Sequence, residues 1–295
     1  MASVPGFVPY DLRIDVREVD SAGHRRMALR RFEDSSGVSW RLLLDPHRLE
    51  TSVGRADHWK GLQTSSGFEG TVWGRLTKAQ RQGGWRTGGI SQAVNPSQGI
   101  VLSVDLCPSR KPFDRRLLRR LFEVFPAGQA IPVSFAVSGE WLRRHGADLA
   151  WLQALERSGR IKSTWINHSD HHHFRKGMPA RRNFLNLPGT NVEAEILGAE
   201  SEMLRHGCLP SAFFRFPGLV DDSLLSARVL RTGLLPVGSD AWLAKSQAPR
   251  LGSIVLVHGN GNEPAGVREF LKLLEKERPS IRQGHWRLID LPQGL

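Results

Sequence analysis

The chain has 295 residues, 40% hydrophobic and 24% charged, an ordinary globular composition with room for one large domain or one plus a smaller one. Its net charge of +12 points to an anionic environment (nucleic acid, anionic lipid or an acidic wall polymer) without choosing among them. No apolar run reaches ~18 residues, which excludes a transmembrane helix, and two cysteines exclude a disulfide framework and paired CxxC zinc sites. The opening MASVPGFVPYDLR has neither a basic start nor an apolar core, so no signal peptide is visible there.

Residues 1–97 are rich in Arg, Gly, Ser and Trp. The apolar stretches MALRRF, VSWRLLL and GTVWGRL are broken by SSG, DPH and QGG, turn signals whose spacing predicts short strands. This part reads as a small β-rich N-terminal region, with Trp40, Trp59, Trp73 and Trp85 as core residues more than sugar-stacking platforms. NPSQG at 95–99 reads as a linker into a second region, 98–295.

From residue 100 onward, apolar runs alternate with helical patterns. GIVLSVDL predicts a buried strand. FDRRLLRRLFEVF predicts a helix with Leu117, Leu118, Leu121 and Phe122 on one face and Arg115, Arg116, Arg119 and Arg120 largely on the other. IPVSFAVSG predicts a strand, and WLRRHGADLAWLQALERSG one helix stopped by glycine. STWIN predicts a strand running into Asn167-His-Ser-Asp-His-His-His173, where four of the 11 histidines fall together. Thr190 and Glu193 form a capping-box pattern for the helix over NVEAEILGAESEMLRHG. SAFFRFPG and SIVLVHG predict strands; DSLLSARVLRTG and PAGVREFLKLLEKER predict helices, the last with Pro264 near its start. Such alternation predicts an α/β fold with a parallel sheet or barrel. In these folds chemistry gathers at the C-terminal ends of the strands. Those ends carry Asp105, His168, Arg215 with Pro217, and His258, and the short stretch PVGSDAW carries Asp240.

Taken in order, residues 100–295 resemble the polysaccharide deacetylase (NodB-homology) family of carbohydrate esterases. Ser103-Val-Asp-Leu106 is similar to the family's first motif, T-F-D-D, and His168-Ser-Asp-His-His172 to its second, H-S/T-x-x-H. Arg215-Phe-Pro-Gly218, Asp240-Ala-Trp242 and Leu256-Val-His258 are similar to the third, fourth and fifth. The resemblance implies a distorted (β/α) barrel with seven or eight strands. It implies a divalent metal, usually zinc, and hydrolysis of N-acetyl groups on amino-sugar polysaccharide (peptidoglycan or another N-acetylglucosamine glycan) by metal-bound water. By position it makes Asp105 the general base, His168 and His172 metal ligands, and Arg215 the group that holds the base carboxylate. Asp240 would orient and charge His258, the general acid. Leu256 and Trp242, with Pro217, would line the substrate site. Family habit places such enzymes at the cell envelope or outside the cell; with no signal peptide visible, the cytoplasm stays open.

The chemistry agrees with the residue types, because a divalent ion polarises an amide carbonyl and acidifies water, and two imidazoles suit zinc. One departure stands out. The second Asp of the first motif is a metal ligand in the family, and this chain has Leu106. Coordination by Asp105 itself, by a water, by Asp170, or by His171 or His173 would fill the gap; otherwise the metal is held weakly. The same departure keeps a second reading open, a catalytically silent glycan-binding descendant. A nucleic-acid partner is disfavoured, since no RNP, zinc-finger or helix-turn-helix signature accompanies the charge. Cys107 follows the first barrel strand and Cys208 precedes AFFRF, so the two thiols are expected at opposite ends of the barrel and free.

Overall fold

The structure, a computed structural model, describes residues 6–62, 68–83, 88–94 and 99–295. Trp85 and all of the expected linker except Gly99 lie outside the described residues. The N-terminal residues form an antiparallel sheet of β1 (Tyr10–Ser21), β2 (His24–Glu33), β3 (Ser39–Asp45), β4 (Glu50–Arg55) and β5 (Lys60–Gly61), in the order β4-β3-β2-β1-β5. MALRRF and VSWRLLL are β2 and β3, as their apolar runs predict. GTVWGRL is a correction: most of it opens helix α1 (Val72–Arg81). The Thr71 hydroxyl accepts from the Gly74 N–H, a cap that satisfies a free donor of the first turn and outweighs the strand preference of Val72 and Trp73.

The second region alternates as expected. Its strands are β6 (Gly99–Leu106), β7 (Ile131–Val137), β8 (Ile161–Asn167), β9 (Pro210–Phe214), β10 (Leu235–Pro236), β11 (Ala241–Trp242), β12 (Ile254–His258) and β13 (Arg287–Leu288). They pair in parallel in the order β10-β9-β8-β7-β6-β12-β11, with β13 beside the start of β6, and curl into a distorted, open barrel. The helices are α2 (Arg116–Val124), α3 (Gly139–Arg144), α4 (Gly146–Arg157), α5 (Val192–Arg205), α6 (Ser223–Arg231), α7 (Pro264–Arg282) and α8 (Leu291–Gly294).

Two local expectations change. The single helix expected over WLRRHGADLAWLQALERSG is two, α3 and α4, broken at His145, which leaves helical geometry while its ring bonds the Ser109 carbonyl. Asn191, not Thr190, caps α5, its side chain accepting from the Ala194 N–H at 3.1 Å.

Strand alternation divides the barrel's residues into two sets. Ile100, Leu102, Val104 and Leu106 of β6 join Val255 and Val257 of β12 and the leucines of α2 in a core under the helices. Val101, Ala136, Ile166, Phe213 and Ile254 fill the barrel interior. The N-terminal sheet packs on the outside, with Met27, Leu29, Leu42 and Leu44 against Ala212 of β9, and Phe7 and Phe32 against Leu204 of α5. Trp73 donates to the Gly233 carbonyl. At the barrel's open seam, Ile90 bridges to Val237 and Gln92 to Ser253. Among the described residues no helix is long and apolar enough to cross a membrane.

Candidate active site

The interior face of β6 continues past Val101 through Ser103 and Asp105. Asp105 is almost fully buried, and Arg215, at the end of β9, is wholly so. Arg215 donates from Nη2 to Ser103 Oγ at 2.8 Å and places Nη1 3.5 Å from Asp105 Oδ1. Burial pulls the Arg215 guanidinium down from its usual range, and Asp105 and then Cys107 oppose that. Asp105 Oδ1, Arg215 Nε and Arg215 Nη1 nonetheless have no hydrogen-bond partner, so the pair is close but not closed.

His168 follows β8 and is fully buried. Its Nδ1 lies 2.8 Å from the Arg215 carbonyl, to which it donates, so Nε2 carries the lone pair. That nitrogen faces Cys107 Sγ at 3.4 Å and Asp105 Oδ2 at 3.8 Å. Burial pushes the His168 imidazolium down to about 4, which keeps the ring neutral. The His172 ring lies 4.7 Å from that of His168, and its Nε2 is buried with no hydrogen-bond partner. The loop reaches this shape through positive φ at Ser169 and His172, a backbone state uncommon outside glycine. Gly218 of the RFPG segment is required where it stands: it has φ +65°, and a Cβ there would meet the Phe184 ring at 2.6 Å. Phe184 in turn packs edge-on against His172.

His258 ends β12 directly beside Asp105 in the parallel register. Its Nδ1 is 2.9 Å from Glu263 Oε2, off the hydrogen-bond direction, and the same oxygen accepts from Trp242 Nε1 at 2.7 Å. Burial works to lower the His258 imidazolium, but the neighbouring Cys107 and Glu263, with Asp105 nearby, raise it to about 10.

Asp240 therefore does not take the place expected for it. Ala241 pairs with Val255, which sets Asp240 level with Ile254, four residues below His258, or ~13 Å at the usual rise of a strand. Its carboxylate is engaged there by Gln92 at 2.7 Å, Ser253 and Arg250. Glu263, which no motif marked, is the carboxylate at His258. Of the groups named to replace an aspartate at 106, Asp105 stays in the site, 3.8 Å from His168 Nε2, and the other residues are elsewhere. Asp170 is paired with Arg143 at 2.7 Å. His171 and His173 stack outside the site, on Glu195 at 2.8 and 3.1 Å. Leu106 itself faces the helix layer. Trp242 is half-buried beside His258; Leu256 and Pro217 are buried.

Cys107 is the other residue that sequence reasoning passed over. Ligand atoms of Cys107, His168 and His172 all lie within 4.8 Å of one another. A thiol and two imidazoles, one with its second nitrogen tied to a backbone carbonyl, fit a divalent ion of zinc's character. The signal was present in β6, since 103, 105 and 107 share one face. Cys208 is the other free thiol, buried at the far end of the barrel, with its titration pushed well up by that burial. That far end also holds a cavity of about 300 Å³ lined by Lys162, Thr164, Ser211 and Gln153, remote from these groups.

No family model matches the sequence. Among solved structures, the Bc1960 peptidoglycan N-acetylglucosamine deacetylase is similar, at 16% identity over 70% of this chain and 91% of its own, with a TM-score of 0.50. A family 4 carbohydrate esterase from Bacillus anthracis matches at 16% identity over 77% and 93% (TM-score 0.49). A CE4 family pseudoenzyme from the same organism matches at 10% identity over 97% and 88% (TM-score 0.47). The likeness is one of fold: this chain has the distorted barrel of the deacetylases that its motifs resemble.

Proposed function

We propose that the chain is a metal-dependent deacetylase of N-acetylated amino-sugar polysaccharide, acting at the cell envelope. The observation that carries this reading is the convergence of Asp105, Arg215, His168, His172 and His258 at the C-terminal ends of β6, β9, β8 and β12. His168 and His172, with Cys107 beside them, would hold the ion. When bound, a divalent ion supplies a polarised amide carbonyl and a more acidic water. Asp105 takes the proton of the attacking water. Arg215, fixed by Ser103, sets its guanidinium against that carboxylate. His258 is charged at neutral pH and, with Nδ1 turned to Glu263, delivers a proton from Nε2 to the departing amine. Trp242 fixes Glu263 and presents a half-buried indole beside the acid, a fitting wall for a sugar or acetyl group.

The test is acetate release from N-acetylglucosamine oligomers and from peptidoglycan with zinc supplied, and Asp105→Asn as control. Release that survives Asp105→Asn rejects the base assignment. Saccharide binding without release in the wild type supports the second reading, a silent glycan-binding protein, which Leu106 favours by leaving no carboxylate at that position.

A further inference from the structure

Leu106 removes a carboxylate, and β6 shows where the replacement comes from. Its even-numbered residues, Ile100 to Leu106, are packed under the helices, whereas Ser103 and Asp105 face Arg215. The next residue on that inward face is Cys107. It is 6% exposed, its Sγ lies 3.4 Å from His168 Nε2, and Asn260, itself buried, donates from Nδ2 to its carbonyl at 2.7 Å. The two imidazoles are prepared in complementary ways. His168 has only Nε2 left to offer, and His172 Nε2 is buried without a partner. We infer that Cys107 is a thiolate metal ligand, completing a Cys107–His168–His172 centre one residue beyond the aspartate that the family's motif would supply. This rests on the metal-dependent reading above and deepens it.

Two consequences separate this centre from one built on a carboxylate. Sulfur and imidazole select zinc, cobalt or similar ions over magnesium, calcium and manganese, whose preferred donors are oxygens. A donor set of one thiolate and two imidazoles would hold the ion without Asp105, leaving that carboxylate free to act as a base.

The experiment is a cobalt(II) titration of the full-length metal-free protein, followed by absorption spectroscopy, with zinc and magnesium as competitors. The wild type is expected to bind one equivalent and to show a near-ultraviolet thiolate-to-cobalt charge-transfer band that zinc abolishes and magnesium does not. Cys107→Ser, close in size to the native residue, is expected to lose the band and to weaken zinc binding by more than the ~10–100-fold typical of losing an outer partner of a ligand. Cys208→Ser is expected to keep both, and Cys107→Asp to bind metal without the band. A wild type that binds cobalt without the band, or a band that survives Cys107→Ser, overturns the assignment while leaving metal-dependent deacetylation standing. Conversely, a band lost in Cys107→Ser together with no acetate release by the wild type keeps the ligand and rejects the activity. Failure of the wild type to bind any of these ions overturns both.

Discussion

Among the described residues, two arginines are wholly buried beside a carboxylate, and they are built differently. Arg30 of the N-terminal sheet meets Glu200 of α5 through two bonds, 2.5 and 2.9 Å, and spends Nη1 on the Leu29 and Thr232 carbonyls. Arg215 Nη1 stands 3.5 Å from Asp105 Oδ1, an ion pair without a hydrogen bond, and Nε has no hydrogen bond either. Burying a charge without full hydrogen bonding costs free energy, so the open pair is retained at a price in stability that the closed one avoids. The closed pair fixes the sheet to the barrel. The open pair leaves polar atoms without hydrogen bonds, and it sits where the strands end.

The sharpest way to break this contrast is at the rim. Asp105→Asn is expected to lower acetate release by about 100- to 10,000-fold, the usual worth of a positioned general base. Its melting temperature should move less than that of any variant that breaks the Arg30–Glu200 pair. If Asp105→Asn mainly unfolds the protein, the open pair is structural and the comparison collapses. The converse change comes next. Arg30→Met strands Glu200 as a lone buried carboxylate and should destabilise by about 3–5 kcal/mol in denaturant unfolding. Converting both, Arg30→Met with Glu200→Leu, should recover most of it. A single variant within 1 kcal/mol of the wild type, by order of magnitude an exposed pair's worth, would show that the sheet does not depend on this contact.

How far these regions were legible in the sequence follows from what sets each one. The parallel strands read clearly because both of their faces are buried: every residue of β6 is, and an apolar run broken only by Ser103 and Asp105 records that. Most rim residues followed, since strand ends are where such runs stop. Asp240 misled because sequence order does not give register; only the pairing of Ala241 with Val255 puts it at the wrong end of β12. Glu263 was hidden by a loop, five residues past His258. Cys107 lies one position past the Asp-Leu pair, and only the alternation Ser103, Asp105, Cys107 marks it. In the N-terminal region, β1 carries charge along most of its length, and α1 opens with strand-forming residues; the cap at Thr71 decided the latter.

A third variant bears on the acid side of the rim. In an unfolded chain His258 titrates near 6.5; in the fold it is raised to about 10. A raised group stabilises through its protonated form, so this contribution is full below about pH 6.5 and is lost as pH rises through about 10. Glu263→Gln removes one of the groups that raise it. The alkaline limb of acetate release should therefore move to lower pH, and the metal-free variant should lose less stability than the wild type between those limits. The acid limb should not move. An unchanged alkaline limb would mean that Glu263 does not set the charge of His258, and that Trp242 orients it for some other purpose.

The smallest expected effect is at the start of α5, a helix that touches both regions. Its Ile196 carbonyl accepts from Asn167 beside the histidine loop, its Glu195 holds His171 and His173, and its Glu200 closes on Arg30. Asn191→Ala removes the cap and should cost about 1 kcal/mol, whereas Thr190→Ala, at the residue the capping-box pattern favours, should cost a few tenths at most. The first turn lies on the histidine side, so hydrogen exchange in Asn191→Ala should quicken over residues 167–173 before it quickens in β2. Equal quickening in both would mean that α5 transmits the loss along its length, and that the closed pair and the open one are not independent.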